Sequence, residues 1–297
     1  MIGHPIRCSR ISRTLARKTR DSGFGIRDST GPRPRDSGVG IRDSAKPGSR
    51  DSGVGIQDSA IPGTRRTRIP NPKSRIPKAF TPRERRLIAT LRTPAAVQAY
   101  LNALPYNQEP GGRATLRSFR GVVREGCAHC LEAALFATVV LEAHGHAPLV
   151  LSFESIDALD HVIFVYQRGG RWGSIARSRD PGLHGRKAVF ATPRALALSY
   201  FDPYIDFTGR LTGYAVVNLA DVMGAYDWRL ADTNVWKVER VLLDHPHRPI
   251  RSSDRRVGAM RARYRAFRAT FPGRKPLFYR RRDRWTTLPK EFCDEGC

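Results

Sequence analysis

The chain has 297 residues, 40% of them apolar, and a net charge of +25. That length holds one large or two ordinary domains, and no run approaches the roughly 18 unbroken apolar residues of a membrane span. The charge is uneven: residues 1–80 carry a net +12, residues 81–236 only +3 and residues 237–297 a net +10.

The first twenty residues are basic and lack the apolar stretch of a secretory signal. Their Arg- and Ser-rich, acid-free composition also resembles an organelle transit peptide. Five cysteines without framework spacing point to a reducing cytoplasm and free thiols. A fifteen-residue repeat then opens at Asp21, Asp36 and Asp51, with the theme Asp-Ser-Gly-x-Gly-Ile. Each copy offers too little apolar surface to offset its ordering entropy, so disorder is expected over residues 1–78. The period matches no solenoid length. It resembles a translated DNA repeat of the kind found between bacterial genes. The expectation is a true start further downstream, or a dispensable head.

Structure is expected from Phe80 onward. Thr81-Pro82-Arg83-Glu84 is a capping box with proline at the first helical position. Thr93-Pro94 opens a second helix with Val97, Tyr100, Leu101 and Leu104 on one face. A third, short helix is expected from Leu116 to Val123. The next is apolar on most sides, from about Ala128 to His144, and Gly145 stops it. Strands are expected at Leu149–Phe153, His161–Tyr166 and Trp172–Ala176, the last two joined by Gly169-Gly170 as a hairpin. A helix at Pro193–Tyr200, a strand near Tyr214–Leu219 and a helix from Asp232 to Leu243 follow. Helices first and antiparallel strands after predict an α+β fold. A C-terminal amphipathic helix, about Ser253 to Thr270, sets Val257, Met260, Tyr264 and Phe267 against many arginines. It is expected to dock on the core with its arginines in water.

The buried helix carries the chemistry. Cys130 lies in its first turn, where unpaired amides and the helix dipole lower a thiol's pKa and can hold an oxyanion. His161 follows thirty-one residues later at a strand start and can take the thiol proton and return it to a leaving group. A thiol and an imidazole so placed are the minimum for cysteine-based acyl chemistry.

Residues 81–245 resemble the transglutaminase-like superfamily. The matching pieces are Ala103-Leu104-Pro105-Tyr106, then Cys130 to Phe136 with Gly145, and His161 to Val165 followed by Gly170-Arg171-Trp172. The resemblance implies a papain-like core in which a Cys-bearing helix packs on an antiparallel sheet. It also implies acyl transfer or amide hydrolysis on a protein or peptide substrate, with Cys130 as nucleophile and His161 as base. The implied domains are 79–250 for this core and 251–297 for a basic helix and tail. The family orients its histidine with an aspartate on the next strand, but Ala176 stands at that place. Ser178 and Asp180 are the nearby candidates for this role. Asp160 points to the opposite face from His161 and is expected to be solvated. Cys127, three residues before Cys130 and on nearly the same helical face, is the rival thiol.

Other readings compete. A zinc site from Cys127, Cys130, His144 and His146 fails on geometry, because a continuous helix holds residues 130 and 144 about 20 Å apart. No metal and no cofactor is therefore expected. A redox Cys-x-x-Cys lacks its preceding strand. A catalytically inactive transglutaminase-like binding or scaffold domain keeps the fold without the chemistry. The positive charge also suits nucleic acid. Yet 44 of the 52 basic residues are Arg, the skew of a GC-rich genome, and no nucleic-acid motif accompanies them.

Overall fold

The computed structural model describes residues 79–158 and 160–293. The repeat head, with its expected disorder, lies outside the described residues.

Capping chemistry sets the helix starts. In α1 (Pro82–Thr90) the Glu84 carboxylate accepts from the Thr81 amide at 2.7 Å, and Thr81 Oγ1 accepts from the Glu84 amide at 3.2 Å. At the starts of α2 (Pro94–Ala103) and α3 (Phe119–Glu125) the Thr93 and Ser118 hydroxyls accept from the Ala96 and Gly121 amides, without the reciprocal carboxylate. The third helix thus starts at Phe119 rather than Leu116, whose amide is bound by Asn234 Oδ1 at 3.0 Å. Gly126, at φ 68°, closes α3. Then α4 (Cys130–Glu142) begins, buried along twelve of its thirteen residues. Gly145, at φ 90°, turns the chain into the sheet.

The sheet has six antiparallel strands in the order β4-β3-β2-β1-β5-β6. They are β1 (Leu149–Ser155), β2 (His161–Arg168), β3 (Arg171–Ile175), β4 (Arg186–Phe190), β5 (Leu211–Asn218) and β6 (Arg248–Pro249). The β2–β3 hairpin turns at Gly169 and Gly170, both at positive φ, as a tight two-residue turn requires. Alternation along the strands sorts two cores. Val150, Val162, Phe164, Tyr166, Ala215 and Val217 face α1 to α4, together with α7 (Leu219–Met223) and α8 (Trp236–Asp244). On the other face Leu151, Phe153, Ile163, Val165 and Tyr214 meet α5 (Pro193–Leu198), α6 (Phe201–Tyr204) and α9 (Asp254–Thr270). The fold is α+β, as the order of elements predicts.

Several boundaries differ from the expected ones. The helix expected at Pro193–Tyr200 ends at Leu198, and a separate helix, α6, follows from Phe201. The helix expected from Asp232 starts at Trp236, because the Val235 amide is drawn to the Leu116 carbonyl at 2.8 Å. Strand β4, which is not among the expected strands, begins with a buried arginine. On α9, Val257 and Tyr264 are buried. Arg255, Arg256, Arg263 and Arg265 are exposed, as expected, while Arg256 also pairs with Asp202 at 2.5 Å, Arg261 donates to the Thr208 carbonyl, and Arg263 stacks on Phe278. Among the described residues no helix is long and apolar enough to cross a membrane.

Candidate functional site

The start of α4 is braced by a neighbouring segment. Tyr106 and Ala128 form a parallel bridge, in which the Asn107 amide donates to the Ala128 carbonyl at 3.2 Å and the Ala128 amide to the Pro105 carbonyl at 3.3 Å. Residues 105–107 are therefore bound to the chain just ahead of Cys130. Glu132, fully buried, anchors the turn. One carboxylate oxygen accepts from Thr115 Oγ1 and the Arg117 amide, the other from Asn107 Nδ2 and the His129 amide, each at 3.0 Å. Burial alone would raise the Glu132 pKa. His129, the Arg117 amide and Asn107 outweigh it and hold the group below its ordinary value.

Cys130 is the first residue of α4, as the helix-start reading requires, and is 5% exposed. It is disulfide-bonded, whereas free thiols had been expected. Cys127 carries a free thiol. Cys127 corrects a second expectation. It precedes the helix instead of sharing a face with Cys130, and its Sγ accepts from Arg117 Nη1 at 3.3 Å.

His161 opens β2 opposite Phe153, with the two rings stacked at 6.2 Å and 7°. It is 2% exposed and lies with the second core, across the sheet from α4. Its Nε2 is 3.1 Å from the Leu183 carbonyl oxygen. A carbonyl only accepts, so Nε2 carries the hydrogen in this tautomer and Nδ1 does not.

The start of α4 and the start of β2 lie at the same end of the sheet, with the His161 ring on the face away from α4. From the end of α4 the chain turns back through β1 and returns along β2. His146 after α4 meets Tyr166 late in β2, with ring centroids 6.2 Å apart. At the other end Glu239 of α8 feels both His129 and Asp160, the residues just before Cys130 and His161. Burial, with Glu109 and Asp160 nearby, raises the Glu239 pKa despite His129.

Ser178 and Asp180 make other bonds. Ser178 Oγ accepts from the Asp180 amide at 3.1 Å, and the Ser178 carbonyl accepts from His184 Nε2 at 2.9 Å. The Asp180 carboxylate pairs with Lys275 at 3.0 Å. Asp160 is a correction: only 4% exposed, it accepts from the Ser155 amide at 2.9 Å and closes the β1–β2 connection. His144 bonds the Ile88 carbonyl at 2.7 Å beyond the far end of α4, and the described residues hold no group of three or more potential metal ligands.

Tyr106 carries two cations beside its ring, Arg179 at 5.6 Å and Arg177 at 5.8 Å. Arg177 is fully buried and pairs with Glu291 at 2.8 Å. A cavity of about 1140 Å³ lies elsewhere, between α2, the β3–β4 edge and residues 286–291, and includes neither Cys130 nor His161. Sequence reasoning missed Asn107, Glu132, Leu183 and Arg186. Only Glu132 carried a signal, an acid at the third position of a helix.

No protein-family model and no curated protein matches this chain.

Proposed function

We propose that the end of the molecule shared by α4 and β2 is a thiol site for acyl transfer or amide hydrolysis, arranged as in the transglutaminase-like superfamily. One observation carries the reading. Cys130 starts a helix whose first turn is pinned by Glu132, at the same end as His161, whose Nε2 hydrogen is committed to Leu183. Nδ1 is then the basic nitrogen. The arginines around Tyr106 add positive charge ahead of the helix and favour a thiolate.

The reduced sulfur attacks the acyl carbon of a protein or peptide amide. The amine leaves with the proton held by His161, and a thioester forms. Water or a second amine then gives its proton to His161 and takes the acyl group. The disulfide must be reduced first, because a disulfide sulfur is not a nucleophile.

A binding module on the same fold is the second reading, favoured by the near-complete burial of both side chains and by the disulfide. Incubation of the reduced protein with an activated ester, followed by peptide mass mapping, separates the two. Acyl transfer predicts the adduct on Cys130 and its loss in His161→Ala. An adduct on Cys127 alone, or none, favours the binding module.

A further inference from the structure

Arg186 is fully buried, and no carboxylate pairs with it among the described residues. Its guanidinium is bound by neutral groups. Nη1 donates to the His184 carbonyl at 2.7 Å, Nη2 to the Gly182 carbonyl at 2.7 Å, and Nε to Ser199 Oγ at 3.2 Å. The plane lies between two rings, 4.0 Å from the Tyr200 centroid and 4.5 Å from that of Trp285. Both clamped carbonyls flank one residue, Leu183, whose own carbonyl meets His161.

A buried cation without a counter-ion is an expensive way to fill space, and an apolar side chain of similar volume usually stabilises as well. What the guanidinium adds is a rigid fork that fixes several carbonyls at once. Tyr200 extends the same assembly: its hydroxyl donates to the His184 carbonyl at 3.0 Å, and its ring lies 6.3 Å from that of His161. Gly182 admits no side chain, since a Cβ there would stand 2.5 Å from Pro203 Cβ.

We infer that Arg186 is a positioning residue for His161, holding the Leu183 carbonyl where an orienting carboxylate would otherwise stand. The main chain then supplies the acceptor that Ala176 cannot, and it sets the imidazole tautomer. The functional meaning rests on the acyl-chemistry reading, but the geometric claim does not. A carbonyl offers a dipole in place of a full charge, so this arrangement orients the ring more than it stabilises the imidazolium.

Nitrogen chemical shifts of the His161 ring in the resting protein test this without substrate. The wild type should show the Nε2–H tautomer. Arg186→Met should change the tautomer ratio by roughly tenfold, about the worth of one neutral hydrogen bond, and Arg186→Lys should restore part of it. Methyl spectra of the α4 core serve as the fold control. If Arg186→Met does not fold, Arg186→Lys combined with Ser199→Ala carries the same readout, with a shift in the same direction. A folded variant with an unchanged His161 tautomer overturns the inference. Loss of thiol reactivity in the wild type counts against the acyl reading alone.

Discussion

Gln98 of α2 holds both backbone groups of Ala176: its Nε2 donates to the Ala176 carbonyl at 2.9 Å, and its Oε1 accepts from the Ala176 amide at 3.0 Å. A side chain thus stands in for a neighbouring strand just where β3 ends. Ala176 is the position at which the resemblance called for a carboxylate, and here its main chain ties the sheet to a helix. Gln98→Ala leaves a buried amide and a buried carbonyl unpaired. It should destabilise the fold by about 2–4 kcal/mol, read from the urea midpoint at constant slope.

Gly185 packs against the same amide. A Cβ there would meet the Gln98 side-chain oxygen and stand 2.6 Å from the Ser174 carbonyl. Gly185→Ala should cost about 1–3 kcal/mol through overpacking. The double variant Gln98→Ala/Gly185→Ala should lose less than the sum, because the first change removes the clash with Gln98 and leaves only that with the Ser174 carbonyl. Additive losses in a double-mutant cycle would show that the two positions act independently.

Glu132 predicts a pH dependence of definite sign. Its folded pKa lies below the ordinary 4.5, so its stabilisation is present above that value and is lost as pH falls through the folded pKa. Glu132→Gln keeps the shape but replaces one acceptor oxygen with a donor facing donors. It should destabilise by about 2–4 kcal/mol at neutral pH. The gap to wild type should narrow in acid. A constant gap from pH 7 to pH 3 would mean that the carboxylate charge is not what the four donors hold.

His184 gives a second window. Burial, reinforced by Arg177, lowers its pKa from 6.5 to about 3, so it stays neutral while donating to Ser178. Between those values the unfolded chain binds a proton that the folded chain does not. Stability therefore falls as pH falls, by up to about 1.4 kcal/mol per pH unit. His184→Gln can keep the donor but does not titrate. Its urea midpoint should fall less steeply across this range, and equal slopes would contradict the assignment.

What was legible in the sequence was local. The Thr81 capping box, the Gly169-Gly170 turn, the all-round apolar α4 and the first strands each depend on neighbours within a few residues. What was not legible depends on partners far along the chain. Gln98 meets Ala176 seventy-eight positions away. Arg186 opens a strand yet is buried, because Tyr200, Ser199 and Trp285 converge on it. Asp160 reads as a solvated residue on the strand face opposite His161 and is enclosed, because it caps the Ser155 amide. Of the candidate site, the placement of Cys130 and His161 at element starts was readable, whereas the carbonyl that meets His161 belongs to a loop without a sequence signature.

Thiol reactivity bears most directly on the central claim. The protein is reduced, and alkylation of each cysteine by iodoacetamide is followed against pH in wild type, Cys127→Ala, Cys130→Ala and His161→Ala. Cys130 should react with a pKa well below the free-thiol value of about 8.5, and His161→Ala should abolish the shift. Slow alkylation of Cys130 at the free-thiol pKa, unchanged in His161→Ala, would contradict that claim.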